Sequence, residues 1–219
     1  MTRALRELQL GFGPVLLAMT LLAATPALAA DGPRVLYTKS FQGSTPPYQS
    51  ISVTRDGAAV YNETQDPDND EKFRLEPAVV DRIFEIAGKL DHFKGSLESG
   101  LKVANMGQKT FIWEDGEAKS QSSFNFSQNE DARALTEIME SAGESIRMLI
   151  ELRRVMRHDR LGVNASILKI QAAWDNKRLL GTADFLPVLE QVAANEAFIH
   201  MARERAAQIV DGIRENGKR

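Results

Sequence analysis

The sequence predicts an α+β protein: an antiparallel sheet of two hairpins with a covering helix, followed by a C-terminal helical hairpin or three-helix bundle. Two observations carry this expectation. Up to Phe126, apolar residues alternate with polar ones and the alternation turns at Asp-Gly pairs, the pattern of half-buried strands in hairpins. From Ser127 onward, apolar residues recur at three- and four-residue intervals, the period of helices that bury one side. Strands that precede helices, rather than alternating with them, argue for α+β layering over a parallel sheet. The corresponding division is a leader over residues 1–29, a sheet unit over 30–126 and a helical unit over 127–219.

The leader has the form of an export signal. Arg3 and Arg6 precede the apolar run Val15 to Ala24, Pro26 breaks it, and Ala27-Leu28-Ala29 is a small-x-small cleavage pattern. The run is short of the ~20 residues that a spanning helix needs. The expectation is cleavage after Ala29, with the mature chain in the periplasm or outside the cell and no integral membrane segment remaining.

The first strand is expected from Val35 to Phe41. Tyr48 to Arg55 and Ala58 to Thr64 flank Asp56-Gly57, and Lys109 to Glu114 and Glu117 to Phe126 flank Asp115-Gly116; each pair reads as a hairpin with a two-residue turn. Such turns would place Ile51 and Val53 on one face with Ala58 and Val60. In the second hairpin they would place Phe111 and Trp113 with Phe124 and Phe126. A helix from Pro77 to Leu90 carries Val79, Val80, Ile83, Phe84 and Ala87 on the side that should cover the sheet. Gln65 to Glu71 is an acidic loop. The stretch 94–108 contains three glycines and shows no periodicity.

In the second half, Ser127-Gln128-Asn129-Glu130 matches a capping box ahead of a helix of about thirty residues. Its seam runs through Leu135, Ile138, Ala142, Leu149, Leu152 and Met156, with Ser145 the polar exception. A shorter helix is expected from Asn164 to Arg178, burying Ile167, Leu168, Ala172 and Leu179. One last helix is expected from near Thr182 or Asp184 to about Asn216, with Leu189, Val192, Ile199, Ala206, Val210 and Ile213 on its apolar side. A start at Asp184 places Pro187 in the first turn, where its missing N–H costs nothing.

The run Gly43-Ser44-Thr45-Pro46-Pro47-Tyr48, followed by Ile51, Val53, Asp56-Gly57 and Val60-Tyr61, resembles a domain of unknown function found in exported bacterial proteins. The resemblance covers about residues 34–93. It implies export and an α+β fold, and it brings no catalytic residues. The cysteines of that pattern are missing here, with Thr45 standing before Pro46, so a redox role for this loop has no support.

Composition narrows the chemistry. With no cysteine there is no disulfide, no Cys-ligated metal and no thiol nucleophile. With 27 basic and 30 acidic residues the net charge is −3, which gives no reason to expect nucleic acid as a partner. Ser99-Gly100-Leu101-Lys102 spells the S-x-x-K of serine acyl-transfer enzymes, but the companion motifs are out of order, so a polar loop is the better reading. Three scattered histidines and no E-x-x-H leave no metal site to expect.

Glu196, His200 and Arg203 form a stripe at i, i+4, i+7 on the expected last helix, a polar patch or a set of ion partners. Asn105, Lys109 and Trp113 are the candidate binding residues around the 94–108 stretch. Tyr37, Phe41, Tyr48 and Tyr61 read as sheet core before they read as a binding face. Arg153, Arg154, Arg157, His158 and Arg160 cluster at a helix C-terminus, where positive charge complements the helix dipole; contact with an anion or a membrane headgroup is the other use for them.

The sum of these expectations is a non-enzymatic interaction or structural module of the cell envelope without cofactor. Its partner would be another envelope protein, or a second copy bound through the long helices. The alternative is a small-molecule or envelope-component binder with a pocket between sheet and bundle, near residues 94–113. A serine hydrolase using Ser99 and Lys102 is the remote third.

Overall fold

A computed structural model describes residues 32–217, so the expected leader over 1–29 lies outside the described residues. Among the described residues the fold is α+β, with one six-stranded antiparallel sheet and five α-helices. The strands are β1 (Arg34–Ser40), β2 (Tyr48–Thr54), β3 (Ala58–Asn62), β4 (Glu71–Arg74), β5 (Gln108–Asp115) and β6 (Ala118–Phe124). Their order across the sheet is β4-β3-β2-β1-β5-β6, so β1 joins the two hairpins at the centre. The helices are α1 (Pro77–Lys89), α2 (Glu130–His158), α3 (Gly162–Asp175), α4 (Thr182–Ala194) and α5 (His200–Asn216).

Register decides which side of the sheet is core. Val35, Val53, Ala59 and Phe73 form one cross-strand row, and Phe111, Tyr37, Ile51 and Tyr61 form the next. All eight are buried, and α1 and α2 lie over them. Tyr37 and Tyr61 are therefore core, as their strand positions suggest. Rings extend the packing sideways: Phe111 lies 5.4 Å from Phe124 and 5.1 Å from Phe93 between centroids. Phe93 is held there by a turn with left-handed backbone at three successive residues, Asp91 (φ 46°), His92 (φ 53°) and Phe93 (φ 64°).

The first hairpin differs from the two-residue expectation. Ile51 pairs with Tyr61 and Val53 with Ala59, so the loop is Arg55–Gly57. The Gly57 N–H donates to the Thr54 carbonyl at 2.9 Å and closes a turn, and Gly57 itself follows that turn with φ 86°. Asp56 secures it by accepting from the Thr54 hydroxyl and the Ala58 N–H. One extra loop residue moves the partner strand by one position, so Ala59 and Tyr61 face the core in place of Ala58 and Val60. In the second hairpin the turn residues are Gly116 and Glu117, with Asp115 paired to Ala118. That is a two-residue shift, which leaves every side chain on its expected face. β4 was not expected at all: its four residues contribute one buried side chain, Phe73, too little to show a period.

The helices also depart in detail. Asn129, not Ser127, caps α2, accepting from the N–H groups of Asp131 and Ala132. α3 ends at Asp175, and Leu168 and Ala172 face outward while Val163, Ile167 and Ile170 are buried. The expected last helix is two helices, α4 and α5, folded against each other. The break spans Asn195 to Ile199; the Asn195 carboxamide accepts the Ala197 N–H, Phe198 turns into the core and Ile199 stays exposed. Of the two expected starts α4 takes Thr182, which puts Pro187 in the second turn on the solvent side. One continuous set of buried side chains runs from Val35 to Ile213 through sheet and helices alike.

Candidate functional site

A cleft of about 800 Å³ lies between the β3–β4 side of the sheet and the facing sides of α2 and α3. Its first wall starts at Asn62, the end of β3. This buried carboxamide donates to the Asp66 carbonyl and the Asp70 carboxylate, and accepts from the N–H groups of Thr64 and Gln65. One side chain thereby shapes the whole acidic 63–70 loop into the rim. Tyr61 lies beneath it, 1% exposed, and donates its hydroxyl to Glu63 Oε1 at 2.6 Å. Burial, then the hydrogen bond to Glu63, pushes the Tyr61 phenol well above the ordinary tyrosine range.

The second wall is α2. It comes down onto the sheet at Gly143, where a Cβ would lie 3.0 Å from Ile51 Cδ1 and 3.3 Å from Tyr61 Cε2. That close approach brings Arg147, one turn further along, to Glu63: Nε to Oε1 is 3.3 Å. Tyr61, Glu63 and Arg147 form a chain from the sheet interior to the cleft surface. Glu144 pairs with Arg178 at 2.9 Å across the other end, and Lys169 and Glu71 contribute charges from α3 and β4. Between these polar groups, Met148, Ile150, Ala172 and Ala173 supply apolar surface. The size falls within the ~300–1,000 Å³ typical of small-molecule sites.

The α3–α4 connection is fastened by side chains that periodicity does not mark. Ser145, the polar exception in the α2 seam, donates to the Ser141 carbonyl at 2.8 Å and accepts the Leu180 N–H at 3.0 Å. Glu76, just before α1, accepts the N–H groups of Gly181 and Thr182 and the Thr182 hydroxyl. Asp184 accepts the Arg74 N–H on the outer side of β4 at 2.8 Å.

The residues singled out in the sequence lie elsewhere. Ser99 and Lys102 sit in the irregular 94–107 segment, not on a helix; the Ser99 hydroxyl lies 3.2 Å from Glu98 Oε1. Asn105 accepts the Gly107 N–H, a local turn contact. Lys109 is buried, and its ammonium faces the carbonyls of Met106, Gly107 and Asn125. Burial, then the neighbouring Lys39, lowers its pKa, but its donors are committed to holding the segment in place. Trp113 packs half-buried between Phe84 and His92.

Glu196, His200 and Arg203 do not form the expected stripe, because the chain breaks between them. Glu196 is in the α4–α5 turn, His200 opens α5 and pairs with Glu204 at 3.0 Å, and Arg203 donates to the Ala193 carbonyl. The pocket expected near 94–113 is at the other side of the sheet. Tyr61 reads from the sequence as a sheet aromatic, but Glu63, Arg147, Lys169 and Arg178 carry no local pattern that names them. Among the described residues, no three potential metal ligands of the His, Asp and Glu type converge, and no helix is long and apolar enough to cross a membrane.

Fold and site together define an α+β protein with a helix-lined cleft at one side of an antiparallel sheet. No family model, no curated protein and no solved structure matches the chain.

Proposed function

We propose that this chain is an exported, non-enzymatic module of the cell envelope that binds a small amphipathic molecule in the cleft between sheet and helices. The cleft carries this reading: apolar surface from Met148, Ile150 and Ala173 lies between the Glu63–Arg147 and Glu144–Arg178 pairs. A ligand with an apolar body and polar ends matches that lining, and the paired charges can exchange partners with it at little electrostatic cost. The 1–29 leader pattern supports export, and the resemblance over residues 34–93 agrees with it.

The test is native mass spectrometry of the protein purified from its own envelope, with the Ala172→Trp variant alongside. Ala172 is exposed and lines the cleft, so the indole fills the space without entering the core. The expected result is a small molecule released from the wild type and missing from the variant. Ligand-free wild type, or equal loading of both, overturns the reading.

A second reading has its own observation. Leu101, Val103 and Met106 are 50%, 40% and 54% exposed on the 94–107 segment, which Asn125 and Glu98 hold in place through backbone hydrogen bonds. This supports contact with an envelope protein through that segment. A crosslink from a photoreactive residue at position 103 to another protein would establish it, and crosslinks only within the chain would remove it.

A further inference from the structure

The α2–α3 and α4–α5 turns lie at one pole of the helical layer. Arg205, in the second turn of α5, donates to Asn164 Oδ1 in the first turn of α3 at 3.0 Å. Near the other ends of the same two helices, a Cβ on Gly212 would lie 3.0 Å from the Trp174 ring. α3 and α5 therefore run in the same direction, and their first residues are neighbours. Leu161, 84% exposed, precedes α3, while Ile199 and Met201, 46% and 51% exposed, flank the start of α5.

Around them stand the arginines at the end of α2. Arg153, Arg157 and Arg160 are exposed and pair with no carboxylate among the described residues. Of the nearby acids, Glu151 is paired with Arg154 and Glu204 hydrogen-bonds His200, while Asp159, which accepts the Gly162 N–H, and Glu196 keep their charges. Leu161 is exposed in the turn between α2 and α3. Beside three guanidinium groups that pair with no carboxylate, of which Arg157 also donates to the Arg153 carbonyl, it matches the chemistry of a peripheral membrane contact, in which an apolar side chain enters the headgroup boundary and cations meet anionic lipid.

We propose that this pole is a docking surface for an anionic phospholipid bilayer, with Leu161 as the inserting side chain and Arg153, Arg157 and Arg160 as the headgroup contacts. The proposal is independent of what the cleft binds.

The experiment is cosedimentation with vesicles of phosphatidylglycerol and phosphatidylcholine, against vesicles of phosphatidylcholine alone. The chain from Ala30 onward is used, because the apolar leader would partition into vesicles by itself; this chain contains every buried core residue described above. Binding is expected to the anionic vesicles only and to weaken with salt. The double variant Arg157→Gln, Arg160→Gln should lower the vesicle partition coefficient about thirtyfold, from the loss of two surface cations. Leu161→Ser should lower it several-fold. Leu161 is 84% exposed and makes no side-chain cap, so serine there removes no buried contact and does not unfold the chain. Absence of binding, equal binding to neutral vesicles, or variants that bind like wild type would overturn the proposal. So would concentration-dependent self-association abolished by Leu161→Ser, which would assign the pole to a protein contact.

Discussion

Glu76 and Thr182, 106 residues apart in the chain, are joined by two hydrogen bonds: Glu76 Oε1 accepts the Thr182 N–H at 2.7 Å and its hydroxyl at 2.6 Å. The other carboxylate oxygen accepts the Gly181 N–H at 3.0 Å. One side chain thus satisfies the exposed donors at the start of α4 and ties them to the residue that precedes α1. Gly181 serves the same junction: with φ 68° and the Arg74 carbonyl 3.0 Å from where a Cβ would be, the position suits glycine.

Replacing Glu76 with alanine leaves those donors without their carboxylate. Hydrogen bonds to charged groups are worth ~1.5–3 kcal/mol each, and bonds sharing one acceptor group do not add, so Glu76→Ala should cost about 2 kcal/mol. Glu76→Gln keeps a single carbonyl acceptor and should cost about half as much. Urea denaturation followed by circular dichroism measures both; equal stability of Glu76→Ala and wild type would contradict the assigned role.

Gly143 sets how closely α2 approaches the sheet. Gly143→Ala gains ~1 kcal/mol of helix propensity and meets Ile51 Cδ1 at 3.0 Å, so the two effects should nearly cancel. Gly143→Leu has no space against Ile51 and Tyr61 and should cost about 1–3 kcal/mol through overpacking. A leucine variant as stable as wild type would mean that α2 can lift from the sheet without penalty.

Tyr37 and Tyr61 predict how the protein meets alkali. Burial, then the carboxylate that each phenol faces (Glu140 or Glu63), raises both pKa values above the usual 10.0. In the folded state both protons are held more tightly, so the stabilisation is complete below pH 10 and is lost as pH rises above it. Lys109, whose pKa is lowered, has the opposite sign and softens the loss as it deprotonates. Phenolate absorbance of these two tyrosines should appear together with loss of circular dichroism. Phenolate formation by all three tyrosines in a still-folded chain would refute the burial argument.

The left-handed turn at Asp91 to Phe93 stores backbone strain. Phe93 cannot change without losing its stack on Phe111, but Asp91 is exposed and its partner Lys94 lies 3.5 Å away on the surface. A left-handed residue costs ~1–2 kcal/mol for an L side chain, and glycine returns part of that gain as unfolded-state entropy. Asp91→Gly should therefore stabilise by about 0.5–1 kcal/mol, seen as a higher melting temperature. A lower melting temperature would show that the Asp91–Lys94 pair outweighs the strain.

Most of the fold was legible because most of it is periodic. Val80, Ile83, Phe84 and Ala87 mark the buried side of α1 without any knowledge of the sheet beneath, and Phe111 and Phe124 share their face whether the turn is at 115 or 116. The first hairpin was legible only to within one residue. A glycine after Asp56 fits a two-residue loop and a three-residue loop alike, and the choice falls to whichever places Tyr61 or Val60 under α2. The break at Asn195–Ile199 was hidden for a similar reason: Val192, Ile199 and Ala206 keep helical spacing across it, though Ile199 faces solvent.

The candidate cleft shows where local pattern ends. The sequence by itself determined the α+β class, the order of sheet half before helical half, the buried side of α1 and the absence of thiol chemistry, since each follows from neighbours within a few residues or from composition. Only the tertiary structure decided that Glu63 meets Arg147, that Glu144 meets Arg178, and that the concavity opens beside β3 and β4 and not beside residues 94–113. The physical reason is the range of the forces involved. Periodicity records which side of an element leaves water, whereas an ion pair between a loop and a helix depends on the packing distance between elements. Here a missing side chain, at Gly143, sets that distance.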